Sequence, residues 1–130
     1  MVKRNPDDTI AFCAADARKD LRLVGICKRR VVEARLTGLL RGNGVNPVGW
    51  SVETTITCPA NRDVINHVRS RLFARAGRHS EPYVDNRSSL LSETWGVLIL
   101  YDMTREEAAR LMAATRSDMN AYLAATAAAQ

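Results

Sequence analysis

The sequence predicts an α+β fold in which one antiparallel sheet is followed by a C-terminal helix or helix pair. Three observations support this class. Short apolar or alternating runs fill much of the chain, turn-forming residues separate them, and a helix-start signal with helical spacing begins near position 104. Because the connections between the runs are short, neighbouring strands should be antiparallel.

Composition favours one folded domain covering residues 1–130. Hydrophobic residues make up 46% of the chain and charged residues 25%, the balance of a soluble globular protein rather than a disordered one. The net charge is +5, and sixteen of the nineteen cations are arginines. Because the planar guanidinium suits phosphate oxygens, this bias favours a polyanionic partner. A base-composition bias in the coding sequence would give the same ratio.

The cysteines and histidines do not predict a metal site. Cys13, Cys27 and Cys58 show no C-x-x-C spacing, and the chain has only two histidines, His67 and His79. The cysteines are therefore expected to be buried, reduced thiols. The start of the chain has no apolar leader, and no apolar run reaches the ~18 residues of a membrane span, so a cytosolic protein is expected.

The strands are predicted in order after a polar tail at residues 1–8. Residues 9–14 and 20–27 form an N-terminal hairpin. A three-strand meander follows, at 31–41, 50–58 and 92–102. In the first of its strands Val32, Ala34, Leu36, Gly38 and Leu40 alternate with Glu33, Arg35, Thr37, Leu39 and Arg41. The Gly/Asn/Pro-rich segment 42–49 is predicted as the hairpin loop between the first two.

The segment 60–90 is long and basic, and its apolar residues have helical spacing over 61–77, with Gly77 as the stop. A strand over the same residues is the alternative, and 78–89 is predicted as loop. At the C-terminal end, Thr104 and Glu107 form a T-x-x-E capping box. The helix that follows keeps one apolar face to about position 124, with a second helix or a kink at 117–118 as the alternative.

No catalytic constellation is predicted, and neither a cofactor nor a small-molecule substrate is expected. Both histidines lie among arginines, and no serine or cysteine occupies a nucleophile-elbow motif. The "GNG" of residues 42–44 lies between two predicted strands, which favours a turn over a dinucleotide fingerprint. The sequence therefore favours a binding or structural protein over an enzyme.

The predicted sheet is wider than its predicted cover. Five strands span ~24 Å, whereas one helix is ~10 Å across. A second chain that laid its own helix over the sheet would complete the cover, so an intertwined homodimer is expected. In the alternative, 61–77 folds back as a second covering helix and the protein is a monomer.

The uncovered face of this sheet would present cations beside small hydroxyls, groups that bind phosphates and the edges of bases and sugars. A solvated sheet face without a ligand is the alternative. The predicted nucleic-acid-binding residues are Arg35, Thr37, Arg41, Ser51, Thr55, Thr57, Ser92 and Thr94.

The order of these elements and several segments resemble the coat proteins of single-stranded RNA bacteriophages, of the levivirus type. The resemblance rests on the segments "TIAFCAADARKDLRLVGI", "ARLTGLLR" before a Gly/Asn loop, "WSVETTITCP", and an apolar strand leading into "YDMTREEAARLM". The resemblance implies a dimer with a continuous sheet, an icosahedral shell of identical copies, and genomic RNA on the inner sheet face, in virions assembled in a bacterial cytoplasm.

The resemblance assigns the eight predicted residues to RNA contacts, with binding of a translational-operator hairpin as a further expectation. The segment 60–90 is longer and more basic than the corresponding loop of these coats, so Arg69, Arg71 and Arg75 are expected to contact neighbouring dimers or RNA. A small dimeric basic RNA- or DNA-binding regulator that does not assemble is the alternative.

Overall fold

A computed structural model gives the fold and describes residues 5–16, 18, 20–42, 44–77, 83–85, 94–101 and 103–128. Antiparallel strands and helices make up this part of the chain, which confirms the α+β class. The elements are β1 (Thr9–Asp16), β2 (Leu21–Lys28), a 3-10 turn (Arg29–Val31), α1 (Val32–Gly42), β3 (Trp50–Cys58), α2 (Arg62–Gly77), β4 (Tyr83–Asp85), β5 (Thr94–Tyr101) and α3 (Arg105–Ala128).

The described strands form one antiparallel sheet in the order β3-β1-β2-β5-β4. The predicted N-terminal hairpin is confirmed as β1 and β2, with Thr9 opposite Lys28 and Ala15 opposite Arg22. Strand β5 pairs with β2 on one side and β4 on the other. Strand β3 pairs with β1 alone and is one edge of the sheet.

The predicted strand at 31–41 is wrong, because these residues form the end of the 3-10 turn and helix α1. Val32, Leu36 and Leu40 are spaced by four, which places them on one face of a strand and also on one face of a helix. Leu39 distinguishes the two conformations. A strand would turn it away from these three, whereas in the helix all four leucine and valine side chains are buried together.

The connection 42–49 therefore joins a helix to a strand rather than two strands, and the predicted meander does not form. Gly44 and Gly49 have φ of 74° and 91°, in the left-handed region that glycine adopts without a Cβ penalty. The turn chemistry of this segment was predicted, and the element before it was not.

Helix α1 covers one face of the sheet. Its buried residues pack against Ile10, Phe12, Ala14, Leu23 and Cys27 of β1 and β2. Burial of these apolar side chains covers this face over β1 and β2 within the chain itself.

Helices α2 and α3 cover the opposite face. Their side chains, which include Val68, Leu72, Leu111 and Met112, pack on the other side of β1, β2 and β3. The helix predicted at 61–77 is therefore confirmed, and it supplies the second covering helix of the monomeric alternative. Over β1 and β2, both faces are covered by helices of the same chain, so these strands give no reason for an intertwined dimer, and dimerisation stays a prediction.

Helix α3 begins at the predicted capping box. The backbone nitrogen of Glu107 donates to Oγ1 of Thr104 at 3.2 Å, and the backbone nitrogen of Thr104 donates to Oε1 of Glu107 at 3.1 Å. The helix continues through 117–118 without a break. Across the described ranges, no helix combines the length and apolarity that crossing a bilayer requires.

Several predictions fall partly outside the described residues. Of the predicted loop 78–89, residues 83–85 form strand β4, and the remainder lies outside them. Residues 1–4 of the polar tail and residues 92, 93 and 102 of the last predicted strand also lie outside. In the described part of the tail, the carbonyl oxygen of Asp8 accepts from the backbone nitrogen of Arg29 at 2.8 Å.

Candidate nucleic-acid interface

Two arginines reach the edge strand β3 from opposite faces of the sheet. Arg29, in the turn before α1, donates from Nη2 to Oγ1 of Thr57 at 2.9 Å. Arg116, on α3, donates from Nη2 to the carbonyl oxygen of Thr55 at 3.0 Å. Neither has a carboxylate partner within the described ranges. We call these four residues the β3 edge site.

Four other arginines form ion pairs with carboxylates within the described residues. Arg18 pairs with Asp16 at 3.1 Å, Arg30 with Asp7 at 3.1 Å, Arg22 with Glu53 at 3.3 Å and Arg75 with Asp118 at 2.8 Å. A carboxylate neutralises each of these guanidiniums, so their charge is less accessible to an external anion. By contrast, Arg29 and Arg116 contact hydroxyl and carbonyl oxygens among the described residues.

A bulge in β3 separates the hydroxyls that the sequence placed on one face. The register with β1 shifts between Cys13 and Ala14, which leaves Glu53 as an extra residue on β3. Thr55 and Thr57 lie opposite Phe12 and Ile10, on the α1 side of the sheet. The predicted site residue Ser51 lies opposite Ala15, on the other side.

The predicted residues Arg35, Thr37 and Arg41 lie on α1 rather than on the sheet, so their assignment to a sheet face is wrong. At about 100° per residue, Thr37 and Arg41 follow Glu33 along one flank of the helix, and Arg35 lies on the opposite flank. Thr37 and Arg35 are half-buried, and Arg41 is exposed. The three side chains do not form one surface.

The remaining predicted residues are not brought to the β3 edge site. Thr94 begins β5, which β1 and β2 separate from β3 by roughly 14 Å. Ser92 lies outside the described residues. On α2, Arg75 is paired with Asp118, the guanidinium of Arg69 lies 5.5 Å from the Phe73 ring centre, and Arg71 is exposed.

A cleft of about 540 Å³ lies beside the β3 edge site, between α1 and β3. Its walls include the apolar residues Ile10, Val32 and Val52 and the polar residues Arg29, Glu33 and Thr55. We call it the α1–β3 cleft. On the opposite side of β3, Arg116 borders a smaller groove of about 270 Å³ against α3. The edge strand therefore has a concave surface and a cation on each side.

Arg29 retains unused hydrogen-bonding capacity. Its Nε is buried and has no acceptor among the described residues. A buried donor without a partner costs roughly 1–3 kcal/mol. The backbone nitrogen of Arg29 is bonded to Asp8 and its Nη2 to Oγ1 of Thr57, so both ends of this residue are held in place before a ligand arrives.

Sequence reasoning did not identify Arg29 or Arg116 as site residues. Arg29 precedes the segment that was predicted as a strand, and Arg116 lies in the middle of the C-terminal helix. Their proximity to β3 depends on how the helices pack on the sheet. The excess of arginine over lysine was the signal for an anion-binding surface, but it does not indicate which arginines form it.

The thiols do not contribute to the interface. Cys13, Cys27 and Cys58 are buried and form no disulfide. Burial raises the pKa of Cys13 to about 12, with a smaller contribution from the negative charge of Glu53, and burial raises the pKa of Cys58 to about 11. No group of three or more metal-ligating side chains occurs in the part of the chain that the structure describes.

Comparison with known proteins identifies no relative of this chain. No protein-family model matches the chain, and no curated protein or solved structure matches it significantly. The resemblance to bacteriophage coat proteins therefore stays a prediction.

Proposed function

We propose that this protein binds the phosphate backbone of nucleic acid at the β3 edge site, in a binding rather than a catalytic role. The observation that carries the proposal is the pair Arg29 and Arg116, which converge on one edge strand and have no carboxylate partner among the residues that the structure describes. Arginine guanidiniums bind phosphate oxygens in a bidentate manner, and nearby hydroxyls add hydrogen bonds to phosphate or sugar. The net charge of +5 would speed the approach of a polyanion.

Of the two hypotheses from the sequence, we put forward the small basic nucleic-acid-binding protein that does not assemble, without the dimer that this hypothesis included. The coat-protein resemblance rested on residues 31–41 as a strand and on an open inner sheet face for RNA. Helix α1 lies on one face, and α2 and α3 lie on the other. The helical cover over β1 and β2 on both faces is the reason why we favour the alternative over a coat-type contact through a bare sheet face.

Binding is measured by fluorescence anisotropy with labelled single-stranded RNA, single-stranded DNA and duplex DNA over a range of salt concentrations. R29Q and R116Q are each compared with R71Q, which removes one exposed cation from α2. For a single-stranded ligand, each site variant should lower affinity and reduce the magnitude of the slope of log K against log salt by about 0.7. The control should leave the slope unchanged.

Equal slopes in R29Q, R116Q and R71Q would contradict the β3 edge site. Size-exclusion chromatography and electron microscopy of the wild-type protein distinguish the alternatives. Spherical megadalton particles that contain RNA would favour the coat protein over our proposal, whereas a small species that binds nucleic acid in solution would support it.

A further inference from the structure

The α1–β3 cleft has features that phosphate binding does not use. Phosphates would meet Arg29, whereas the apolar residues Ile10, Val32 and Val52 also line the cleft. Its volume of about 540 Å³ lies within the roughly 300–1,000 Å³ usual for pockets that hold small organic groups. A planar apolar group with polar edges would fill such a space.

The cleft also contains an acid that would repel phosphates. Glu33, on α1, lines it and has no hydrogen-bond or ion-pair partner within the described ranges. Glu53 lines it as well, but its carboxylate is bound to the guanidinium of Arg22 at 3.3 Å. Glu33 is thus the carboxylate available to a ligand, four residues after the cation Arg29.

An ionised carboxylate accepts hydrogen bonds and donates none. Among base edges, it is therefore complementary to the exocyclic amino groups of cytosine, adenine and guanine. The ring donor of uracil, N3–H, lies between two carbonyl oxygens that repel the carboxylate. Single-stranded nucleic acid exposes these edges, and its unstacked bases can enter apolar pockets or stack on arginine. In a duplex the bases are paired and stacked, so none can enter the cleft unless it is flipped out.

We infer that the α1–β3 cleft accepts one unpaired base of the bound strand, and that Glu33 selects a base that carries an exocyclic amino group, with cytosine as the pyrimidine example. The inference rests on the proposed function, because phosphate contacts at the β3 edge site bring the strand to the cleft. Glu33 determines base preference, and Arg29 and Arg116 determine overall affinity.

The test compares oligocytidylate with oligouridylate, labelled RNAs of equal length and equal charge, by fluorescence anisotropy at neutral pH and one fixed salt concentration. The wild-type protein should bind oligocytidylate roughly tenfold more tightly. E33Q replaces one carboxylate oxygen by an amide donor at constant size, and it should reduce this ratio to near one. E106Q removes an exposed acid from α3 and should keep the wild-type ratio.

The ratio of the two affinities is the readout, because loss of any acid raises affinity for both RNAs by weakening repulsion. Equal binding of the two RNAs by the wild-type protein, or an unchanged ratio in E33Q, would overturn the base pocket while leaving phosphate binding intact. If neither RNA binds, the proposed function fails together with this inference. Circular dichroism of E33Q checks that the variant is folded.

Discussion

At the scale of single residues, Cys13 and Cys58 behave as apolar core residues. Both lie under α2 and α3, with 1% and 3% of their surface exposed. Their raised pKa values, about 12 and about 11, keep the thiols protonated at neutral pH, so they are poor nucleophiles and poor metal ligands. The predicted burial of these cysteines is confirmed, because cysteine without ligand spacing usually packs as a small hydrophobic group.

These thiols should make the folded state sensitive to high pH. In the unfolded chain they ionise near their ordinary value of 9.0, whereas the folded protein resists ionisation up to about 12 for Cys13. The free energy of unfolding is therefore undiminished below pH 9 and falls as pH rises toward 12, by up to about 1.4 kcal/mol per pH unit for each thiol. Urea unfolding at a series of alkaline pH values measures the slope.

The variants C13A and C58A should each flatten that slope. Only the pH dependence is compared, because loss of the sulfur lowers stability at every pH through lost packing. An identical slope in the wild-type protein and both variants would show that other groups determine alkaline stability.

At the scale of elements, helix α1 shows why part of the fold could not be predicted from sequence. Its apolar residues at spacings of four satisfy two periodicities, and the Gly/Asn loop after it is typical of a hairpin. Packing of Leu39 with the other buried residues of α1, Val32, Leu36 and Leu40, favours the helix. This contact forms only when the core is assembled. The strands 9–14, 20–27 and 50–58 and helix 61–77 were predictable because each shows one dominant period or a clear stop.

The candidate site was less predictable than the fold. Thr55 and Thr57 were correctly placed on one face, but the bulge at Glu53 turned Ser51 to the other face without a glycine or proline to signal it. The two arginines come from separate helical elements, and only tertiary packing brings them to β3. Sequence patterns specify faces of single elements and not distances between elements.

The bulge residue Glu53 should also stabilise the sheet. Its carboxylate bonds to Arg22, whose side chain is 5% exposed and whose Nη1 donates to the carbonyl oxygen of Met103 at 2.9 Å. E53Q leaves this guanidinium buried without its main counter-charge. We expect a loss of about 2 kcal/mol, less than the ~3–5 kcal/mol of a fully buried pair, because 27% of the Glu53 side chain is exposed.

Asp20 provides the matched control for this pair. It lies 3.8 Å from the same guanidinium but is 64% exposed, so D20N should cost less than about 0.5 kcal/mol. Urea denaturation of both variants at neutral pH measures the difference. Similar losses in E53Q and D20N would mean that the bulge does not depend on its ion pair.

At the scale of the whole molecule, helices of the same chain cover both faces of the sheet over β1 and β2. The expectation of a dimer came from comparing five strands with one helix, a comparison that did not include α1 and left α2 to the monomeric alternative. Over these strands, the apolar clusters on both faces are filled by residues of one chain. The edge strand β3 remains open to ligands on both of its sides.

We therefore expect thermal unfolding to be independent of protein concentration. An obligate dimer unfolds at a midpoint that rises with concentration, since association contributes to its stability. Differential scanning calorimetry over a wide concentration range, with light scattering for the molecular mass, provides the measurement. A midpoint that rises with concentration would restore the homodimer predicted from sequence.

The position of β1 between β2 and β3 has a consequence during synthesis on the ribosome. Residues 9–58 contain those three strands and α1, so a nascent chain of this length can close one side of its sheet as soon as it emerges. The opposite face of the nascent sheet, with the apolar side chains of Ala11, Val24 and Ile56, stays exposed to solvent until α2 and α3 have been translated. During that interval, the nascent chain depends on chaperones or on rapid elongation to avoid aggregation.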